Sequence, residues 1–231
     1  MSAEVEALSQ GLRRVALADG VYEAIKTLIM DRLIAPGAKI NMDELARGLG
    51  VSATPVREAL ARLEADGLVS KRPLAGYSAA PLLDAAGVGE LFELRLLLEP
   101  AAARWAAAAI GKPAAAALAG MVGQARDAAK SPGGEDYQAY RLLAAHDREF
   151  HEAIAAASGR ELLAQTLRRL HPHAQTYRVL FRRGFDRQTL LEHAAISRAL
   201  QRRDGDAAAD AMAEHLRKAH HRVIAAMSAR A

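Results

Sequence analysis

The feature that most limits how this chain can fold is its C-terminal stretch, in which no segment shows the alternating pattern of a strand. Helical periodicity recurs there instead, and glycine, proline or serine residues interrupt it. The interruptions divide the stretch into six predicted helices, at residues 85–109, 114–130, 136–157, 161–181, 187–203 and 206–227. Because short connections favour antiparallel neighbours, the sequence predicts an all-helical antiparallel bundle.

Composition and two prolines refine this prediction. The chain is 51% hydrophobic but only 4% aromatic, so its apolar residues are mostly alanine and leucine, which are strong helix formers. Proline removes an intrahelical hydrogen bond, and its ring clashes with the preceding turn. We therefore expect Pro100 to kink the first of the six helices and Pro172 to bend or interrupt the fourth.

The first 80 residues have a different pattern, in which three short helices precede two short strands. The helices are predicted at residues 22–33, 42–49 and 54–66, and the strands at 68–72 and 77–80. Ser52 or Thr54 can cap the third helix, and Pro55 fits its first turn, where no intrahelical N–H partner is needed. Three helices followed by a basic hairpin are typical of a winged helix-turn-helix, so the fold class is mainly α.

The third predicted helix carries the main candidate DNA contact. Arg57 faces outward near the start of this helix, and its guanidinium can bind guanine O6 and N7 in the major groove. The alternative is that Arg57 is only solvated, although no acidic residue lies one helical turn away to pair with it. The other candidates suit phosphates or the minor groove: Ser52, Thr54 and Arg62, then Lys71, Arg72 and the Gly76 backbone on the hairpin.

Composition also excludes several classes of protein. The absence of cysteine rules out disulfides and thiolate ligands, so any metal must be held by histidine and carboxylate side chains. We expect a cytoplasmic protein without a membrane partner, because no leader segment and no apolar run of about 18 residues is found. The net charge of +4 is compatible with nucleic-acid binding, but it does not show which part of the chain would contact DNA.

Four residues of the predicted bundle form a candidate metal site. Asp147 and His151 are four residues apart on one helix, so their side chains share a face. His193 and His215 lie on the last two helices, which a bundle can bring to the first pair. Such ligands suit zinc first, or nickel, manganese or iron, and leave coordination positions open. The alternative is four unrelated histidine and aspartate side chains. The remaining histidines are interpreted as surface residues that lie away from the site: His146, His171, His173, His220 and His221.

Arg95, on the first helix of the predicted bundle, is the candidate contact for an effector. Its guanidinium can bind a small carboxylate in a forked geometry. It can equally pair with Glu99, one helical turn later, and the residues alone leave both interpretations open.

Longer motifs connect these patterns to a known family. The segments VSATPVREAL at 51–60 and LEADGLV at 63–69 closely resemble the GntR family of bacterial regulators, although position 53, often arginine in such readers, is Ala53. The segments ELRLLLEP at 93–100, DREFH at 147–151 and MAEHL at 212–216 are similar to the FCD ligand-sensing domain of the FadR branch. The count of six helices looks more like the VanR subgroup than the seven-helix one.

The resemblance implies a fold and a function. Residues 1–80 would be a winged helix-turn-helix DNA-binding domain and residues 81–231 a helical domain for effector binding and dimerisation. FCD domains commonly hold a divalent metal with residues matching Asp147, His151, His193 and His215. The expected protein is a ligand-responsive regulator, a repressor that senses a small carboxylate and binds double-stranded operator DNA as a homodimer.

Two alternatives remain open from the residues. A metalloregulator would sense the ion itself, and a metal-dependent hydrolase or lyase would also use an open metal site. An enzyme, however, would leave the winged helix unexplained. No further general base or nucleophile accompanies the four candidate ligands, so the chain is not expected to be an enzyme.

Overall fold

A computed structural model of the 231-residue chain describes residues 3–129, 137–180 and 187–229. The described residues form two compact units, the first ending at Leu82 and the second beginning at Leu83. Each unit has its own buried apolar core, so the two are described separately.

The N-terminal unit is a winged helix-turn-helix. Its elements in chain order are α1 (Ala3–Met30), β1 (Lys39–Ile40), α2 (Met42–Leu49), α3 (Ala53–Ala65), β2 (Val69–Arg72) and β3 (Gly76–Ala79). The strands form one antiparallel sheet with β3 in the middle. Helix α3 packs against α1 and α2 and buries Val56, Leu60 and Leu63.

Local signals set the ends of α2 and α3. The Asn41 side chain accepts hydrogen bonds from the first amides of α2, and Gly50 ends this helix with a φ of 67°, a conformation that favours glycine. Ser52 precedes α3, and Pro55 lies in its first turn, as the sequence predicts. The predicted range 42–49 is therefore the observed helix α2, and the third predicted helix is displaced by one residue.

Two features of this unit differ from the predictions. The first helix begins earlier than residue 22 and ends at Met30, because Arg32 takes a left-handed φ of 58°. Leu33 is consequently exposed in the following turn and is not part of the apolar face of α1. Strand β1 was not predicted, since two residues are too short to show an alternating pattern.

The C-terminal unit is an all-helical bundle. Its helices are α4 (Ala85–Ala109), α5 (Lys112–Ala128), α6 (Tyr137–Ala157), α7 (Glu161–Leu170), α8 (Pro172–Leu180), α9 (Arg187–Gln201) and α10 (Gly205–Ser228). Helix α10 packs most extensively against α4 and also against α9, while α5 contacts α6 and α9. Among the described residues, no helix has the length and apolar character needed to cross a membrane.

The count of six helices is wrong, because the fourth predicted helix is two helices. His171 adopts a left-handed φ of 45° at the end of α7, and Pro172 begins α8, where its missing N–H is not needed. The interruption expected at Pro172 is thus confirmed, and residues 83–229 contain seven helices where they are described. Helix number therefore no longer indicates the VanR subgroup. The predicted ends at residues 130, 136 and 181 lie outside the described residues.

The core of this unit surrounds the polar side chains of interest. Phe92 on α4, Phe150 on α6, Ile196 on α9 and Leu216 on α10 are all buried in one apolar cluster. Helix α4 continues through Pro100. Because α6, α9 and α10 all face this cluster, their inward polar residues are brought close to one another.

Candidate functional site

The start of helix α3 is an exposed polar surface. Ser52, Thr54 and Arg57 are all exposed, and the Ser52 hydroxyl makes no capping hydrogen bond. Arg57 lies one helical turn into α3 and forms no ion pair with other described residues. This end of the helix can therefore present hydrogen-bond donors to a nucleic acid groove.

The β2–β3 hairpin carries three further candidate DNA contacts. Lys71 and Arg72 are exposed on β2, and Arg72 lies opposite Gly76 across the β2–β3 pair. Gly76 has a φ of 79°, so the tight turn before β3 favours glycine at this position. The Lys71 ammonium lies 5.6 Å from the centre of the Tyr77 ring.

Arg62 differs from the other predicted DNA contacts because it already has partners within the protein. Its Nη1 lies 2.6 Å from the Asp19 carboxylate on α1, and its guanidinium lies 4.3 Å from the centre of the Tyr22 ring. The hydrogen bond to Asp19 raises the pKa of Arg62. The Tyr22 hydroxyl in turn donates to Asp66. A phosphate contact from Arg62 would have to share or replace the Asp19 pair.

In the helical unit, the four predicted metal-binding residues lie together. Helix α6 supplies Asp147 and His151, α9 supplies His193 and α10 supplies His215. One ligand atom from each residue lies within 4.8 Å of the others. The three histidines are buried, and Asp147 is partly buried. The cluster is therefore a single site built by three helices that are distant in sequence.

Buried carboxylates orient two of these histidines. The Nδ1 atom of His151 donates to the Glu99 carboxylate, and Nδ1 of His215 donates to Glu192 at 2.8 Å. Arg222 also donates to Glu192, with both contacts at 2.9 Å. Since Nδ1 carries the proton in each pair, Nε2 of each ring keeps its lone pair available.

His193 lies between another histidine and the Asp147 carboxylate. Its Nδ1 atom lies 3.1 Å from Nε2 of His146, and its Nε2 atom lies 3.4 Å from Oδ1 of Asp147. Nε2 of His151 lies 3.9 Å from the same oxygen. The Nε2 atoms of His151 and His193 thus both lie close to Oδ1 of Asp147.

The residues present fit a divalent metal ion. The buried Nε2 atoms of His151 and His193 have no hydrogen-bond partner among the described residues, and an unsatisfied buried polar atom is costly. Two neighbouring ligand atoms that are each about 2.1 Å from one tetrahedral ion are about 3.4 Å apart. The four candidate ligand atoms all lie within 4.8 Å of one another, so they would move inward when an ion binds.

The protonation states of the site also suit metal binding. Burial lowers the pKa of His151 to about 4 and that of His193 well below its usual value, so both rings are neutral at pH 7. Burial opposes the charge on Asp147, yet the hydrogen bond from His173 and the neighbouring His193 hold the Asp147 pKa well below its usual range. Neutral imidazoles and a carboxylate are the forms that a metal ion binds.

Two histidines that were interpreted as surface residues are buried beside the site. His146 contacts His193, and burial lowers the pKa of His146. His173 donates from Nδ1 to Oδ2 of Asp147 at 2.8 Å. A new helix, α8, begins at Pro172, and this changes which of the following residues face inward. The predicted single helix at residues 161–181 therefore does not place His173 beside Asp147.

The other histidines lie away from the four candidate ligands. His220 is half-buried and stacks on Phe92, with ring centres 5.0 Å apart, so its interpretation as a surface residue is only partly right. His221 is exposed, as predicted. His171 ends helix α7 and is partly exposed.

Arg95 forms the ion pair with Glu99 that the sequence left open as an alternative, and one of its nitrogen donors remains without a partner among the described residues. Its Nε lies 2.6 Å from Oε1 of Glu99, and Oε2 of Glu99 accepts the hydrogen bond from His151. Both members of the Arg95–Glu99 pair are buried. Nη2 of Arg95 is buried without a partner in the described part of the chain. Glu99 therefore links the candidate effector contact to a candidate metal ligand.

Glu99 and Glu192 are the main carboxylates beside the cluster that the sequence did not indicate. Glu99 was considered only as a partner of Arg95, and Glu192 was not considered. The spacing of Arg95 and Glu99 was a usable signal for their pair. Nothing local indicates that Glu192 contacts His215, because these residues lie on different helices.

Substitution of His173 tests whether its hydrogen bond positions the Asp147 carboxylate. We expect His173→Ala to weaken zinc binding by roughly 10- to 100-fold, because partners that orient a metal ligand typically have effects of this size. His173→Asn, which keeps a donor, is expected to recover part of the affinity. Competition with a chromophoric chelator measures the change.

The matched control for His173→Ala is His221→Ala, since His221 is exposed on α10 and no contact joins it to Asp147 among the described residues. Zinc affinity should be unchanged in this control. If His173→Ala binds zinc as tightly as the wild type, the hydrogen bond to Asp147 does not position the carboxylate.

Comparison with known proteins gives two family matches, one in each unit. The model described as bacterial regulatory proteins of the gntR family matches residues 17–77. The model of the FCD domain matches residues 90–218. The first match contains the candidate DNA contacts, and the second contains the histidine and aspartate cluster.

Similar proteins extend over most of the chain. The HTH-type transcriptional repressor RspR of Escherichia coli K12 is 30% identical over 203 residues, covering 86% of this chain and 85% of that protein. The Nta operon transcriptional regulator of Aminobacter aminovorans is 30% identical over 193 residues, covering 82% and 86%. The solved structure of E. coli McbR/YncC is 20% identical with a TM-score of 0.70, covering 90% of this chain and 97% of that one, which shows a shared fold. These sequence relatives are transcription regulators and not enzymes.

Proposed function

This chain belongs to the GntR family of bacterial regulatory proteins and carries an FCD domain, and from that premise we propose that it is a metal-containing repressor controlled by a small organic acid. Its relatives are DNA-binding transcription regulators. The observation that carries the finer proposal is the cluster of Asp147 and three histidines, next to the buried Arg95–Glu99 pair.

In this proposal the ion is held by Asp147, His151, His193 and His215. Zinc is the first choice, with nickel, manganese or iron as alternatives, since nitrogen and oxygen ligands suit all four. A bound ion offers open coordination positions to a carboxylate oxygen. Three of the four ligands are oriented by Glu99, Glu192 and His173, and the fourth, His193, is in contact with His146.

The charge of the site favours an anion. Arg95 neutralises Glu99, and Arg222 neutralises Glu192. Asp147 is then the remaining carboxylate at the cluster, and it offsets only part of the charge of a divalent ion. The loaded site is therefore positive, and a small hydroxy acid or sugar acid would be attracted to it.

Arg95 is the proposed side chain that recognises the acid. Because Nε of Arg95 is occupied by Glu99 while Nη2 has no partner among the described residues, one arm of the guanidinium is available for a carboxylate oxygen. A carboxylate of the acid in this position would also accept a hydrogen bond from the buried Nη2 of Arg95. Glu99 would then contact both Arg95, which recognises the acid, and His151, which binds the metal ion.

The DNA-binding half of the proposal assigns residues 1–80 as the reader and residues 81–231 as the effector and dimerisation domain, acting in the cytoplasm. Arg57 would read a base, while phosphate or minor-groove contacts would come from Ser52, Thr54, Arg62, Lys71, Arg72 and Gly76. A homodimer would place two such readers on an inverted repeat of double-stranded operator DNA.

The effector is expected to bind the metal and Arg95 together. On zinc-loaded protein, one member of a panel of hydroxy acids and sugar acids should bind, and Arg95→Lys should weaken it about tenfold or more, because a charge-assisted hydrogen bond contributes roughly 1.5 to 3 kcal/mol. Calorimetry measures this binding. Arg95→Lys keeps the charge beside Glu99, so retention of zinc by the variant is the control for an intact site.

Operator titrations measure whether the acid acts on DNA binding. A tenfold change in operator affinity requires about 1.4 kcal/mol of coupling between the two sites. If the acid bound equally well to metal-free protein and to Arg95→Lys, the proposed recognition would be wrong. If chelation alone changed operator affinity and no acid did, the protein would be a metalloregulator.

A further inference from the structure

Two series of hydrogen-bonded side chains lead away from the histidine and aspartate cluster, and each ends on an arginine. One of them contains Arg95, the proposed contact of the effector. The other runs from His215 through Glu192 to Arg222. In each series a carboxylate accepts the Nδ1 proton of a candidate metal ligand and is itself held by a guanidinium. The two arginines are nevertheless attached to their carboxylates in different ways.

The Arg222 guanidinium holds Glu192 through two parallel contacts. Nη1 donates to Oε1 at 2.9 Å, and Nη2 donates to Oε2 at 2.9 Å. Nη2 also donates to Oγ1 of Thr189 at 3.2 Å, one helical turn before Glu192 on α9. Because both carboxylate oxygens are held by one planar group, this pair fixes the plane of the Glu192 carboxylate as well as its charge.

The plane of Glu192 determines the orientation of His215. Oε2 of Glu192 accepts hydrogen bonds from both Nη2 of Arg222 and Nδ1 of His215, the latter at 2.8 Å. His215 and Glu192 are both buried. The direction of the bond at Nδ1 sets the rotation of the imidazole ring and therefore the direction in which Nε2 points.

Arg222 also connects the two helices that each supply one of the candidate histidine ligands. It lies seven residues after His215, so the two side chains share a face of α10. From there it reaches Glu192 and Thr189 on α9, the helix that carries His193. Arg222 lies beyond residue 218, where the match to the FCD domain ends.

We propose that Arg222 is a positioning residue of the metal site, which orients His215 by fixing the plane of the Glu192 carboxylate. The shape of the guanidinium is what matters, and its charge alone is not enough. The inference rests on the proposed function for the binding of an ion by the four candidate ligands. It gives the two arginines different roles, since Arg95 contacts the acid while Arg222 sets the geometry around the ion.

The first experiment separates shape from charge. Arg222→Lys keeps the charge but loses the fork, and Arg222→Met loses both. Each variant should weaken zinc binding roughly 10-fold, the lower end of the range for the outer partners of metal ligands. Competition with a chromophoric chelator measures the affinity. Arg217→Lys and Arg217→Met are the matched controls, because Arg217 is an exposed arginine on the same helix, and both should bind zinc as the wild type does.

Cobalt(II) reports the geometry of the site directly. Its visible absorption depends on the number and arrangement of the ligands, so it detects a rotated His215 in protein that is fully loaded. The spectrum should change in Arg222→Lys and stay the same in Arg217→Lys. A substitution that only loosened the packing of α9 on α10 would lower the melting temperature and leave the spectrum of the loaded protein unchanged.

A double-variant cycle tests whether Arg222 acts through Glu192. Glu192→Gln keeps an oxygen that can accept from His215 but removes the charged, forked pair with Arg222. The losses of zinc affinity in Glu192→Gln and Arg222→Met should not add in the double variant, because both substitutions remove the same pair. A double variant that loses the product of the two single factors would overturn the proposed route.

The outcomes distinguish this inference from the proposed function. A wild-type protein that binds no zinc would contradict both. Zinc binding by the wild type, together with unchanged affinity and an unchanged cobalt spectrum in Arg222→Lys, would overturn the positioning role alone. Loss of affinity in Arg222→Met but not in Arg222→Lys would assign the effect to charge and would also overturn it. Circular dichroism checks the fold of each variant, and Arg222→Lys carries the test if Arg222→Met does not fold.

Discussion

Replacement of His193 by alanine is expected to remove bound zinc and, with it, most of the stabilisation that zinc confers. His193 is fully buried, and its Nε2 atom lies beside Oδ1 of Asp147 without a hydrogen-bond partner in the described residues. An ion that binds only the folded state stabilises it by about 4 kcal/mol when its free concentration is a thousand times Kd. His151→Ala and His215→Ala are expected to behave in the same way.

The measurement is designed to separate metal binding from packing. His193 also stacks on Phe150, with ring centres 4.3 Å apart, so His193→Ala will lower the stability of the metal-free protein as well. The informative quantity is the difference in melting temperature with and without zinc, which should fall toward zero. Elemental analysis gives the zinc content of the same samples.

His221→Ala is the matched control for the metal-site variants, since His221 is an exposed histidine on α10, the helix that carries His215. This control should keep both its zinc and the full shift in melting temperature. Full zinc content in all three metal-site variants would reject the site.

Replacement of Arg57 by alanine is expected to weaken operator binding by roughly 5- to 150-fold, which corresponds to about 1 to 3 kcal/mol. Arg57 is exposed near the start of α3, where the side chains of a recognition helix reach base edges. Loss of a forked contact to guanine should also relax the preference at one base pair. Truncation of a phosphate contact would instead weaken binding to all sequences equally.

Fluorescence anisotropy with operator variants, at one fixed salt concentration, distinguishes these outcomes. Arg57→Lys keeps the charge but loses the planar fork, so it should resemble the alanine variant in base preference. Arg217→Ala removes the same charge from an exposed position on α10 and should leave operator affinity unchanged. Equal affinity of the wild type and Arg57→Ala would contradict the assignment of Arg57.

Within the winged helix-turn-helix, helices α2 and α3 were predicted most accurately. Their signals are local, because the cap at Asn41, the break at Gly50 and the position of Pro55 act within one turn of chain. Helix α2 was accordingly predicted to the residue. Strand β1 was missed because its two residues depend on pairing with β3 and have no periodicity of their own.

The candidate metal site was predictable only in part. Asp147 and His151 share a helix face by their spacing alone. His193 and His215 lie more than 40 residues further along the chain, and their inclusion needed the bundle and the family resemblance. The structure brings the four side chains together.

Local patterns in the chain were enough to predict most of the helices, the β2–β3 hairpin and one pair of candidate ligands. The residues that surround the candidate metal site were decided by the packing of the helices against one another. His173 faces Asp147 because a new helix begins at Pro172, and Glu192 contacts His215 because α9 and α10 lie against each other. Helical periodicity cannot separate a buried polar side chain from an exposed one, since both occupy positions that the apolar pattern leaves unassigned. Only the arrangement of the helices supplies the partner that makes burial of such a group stable.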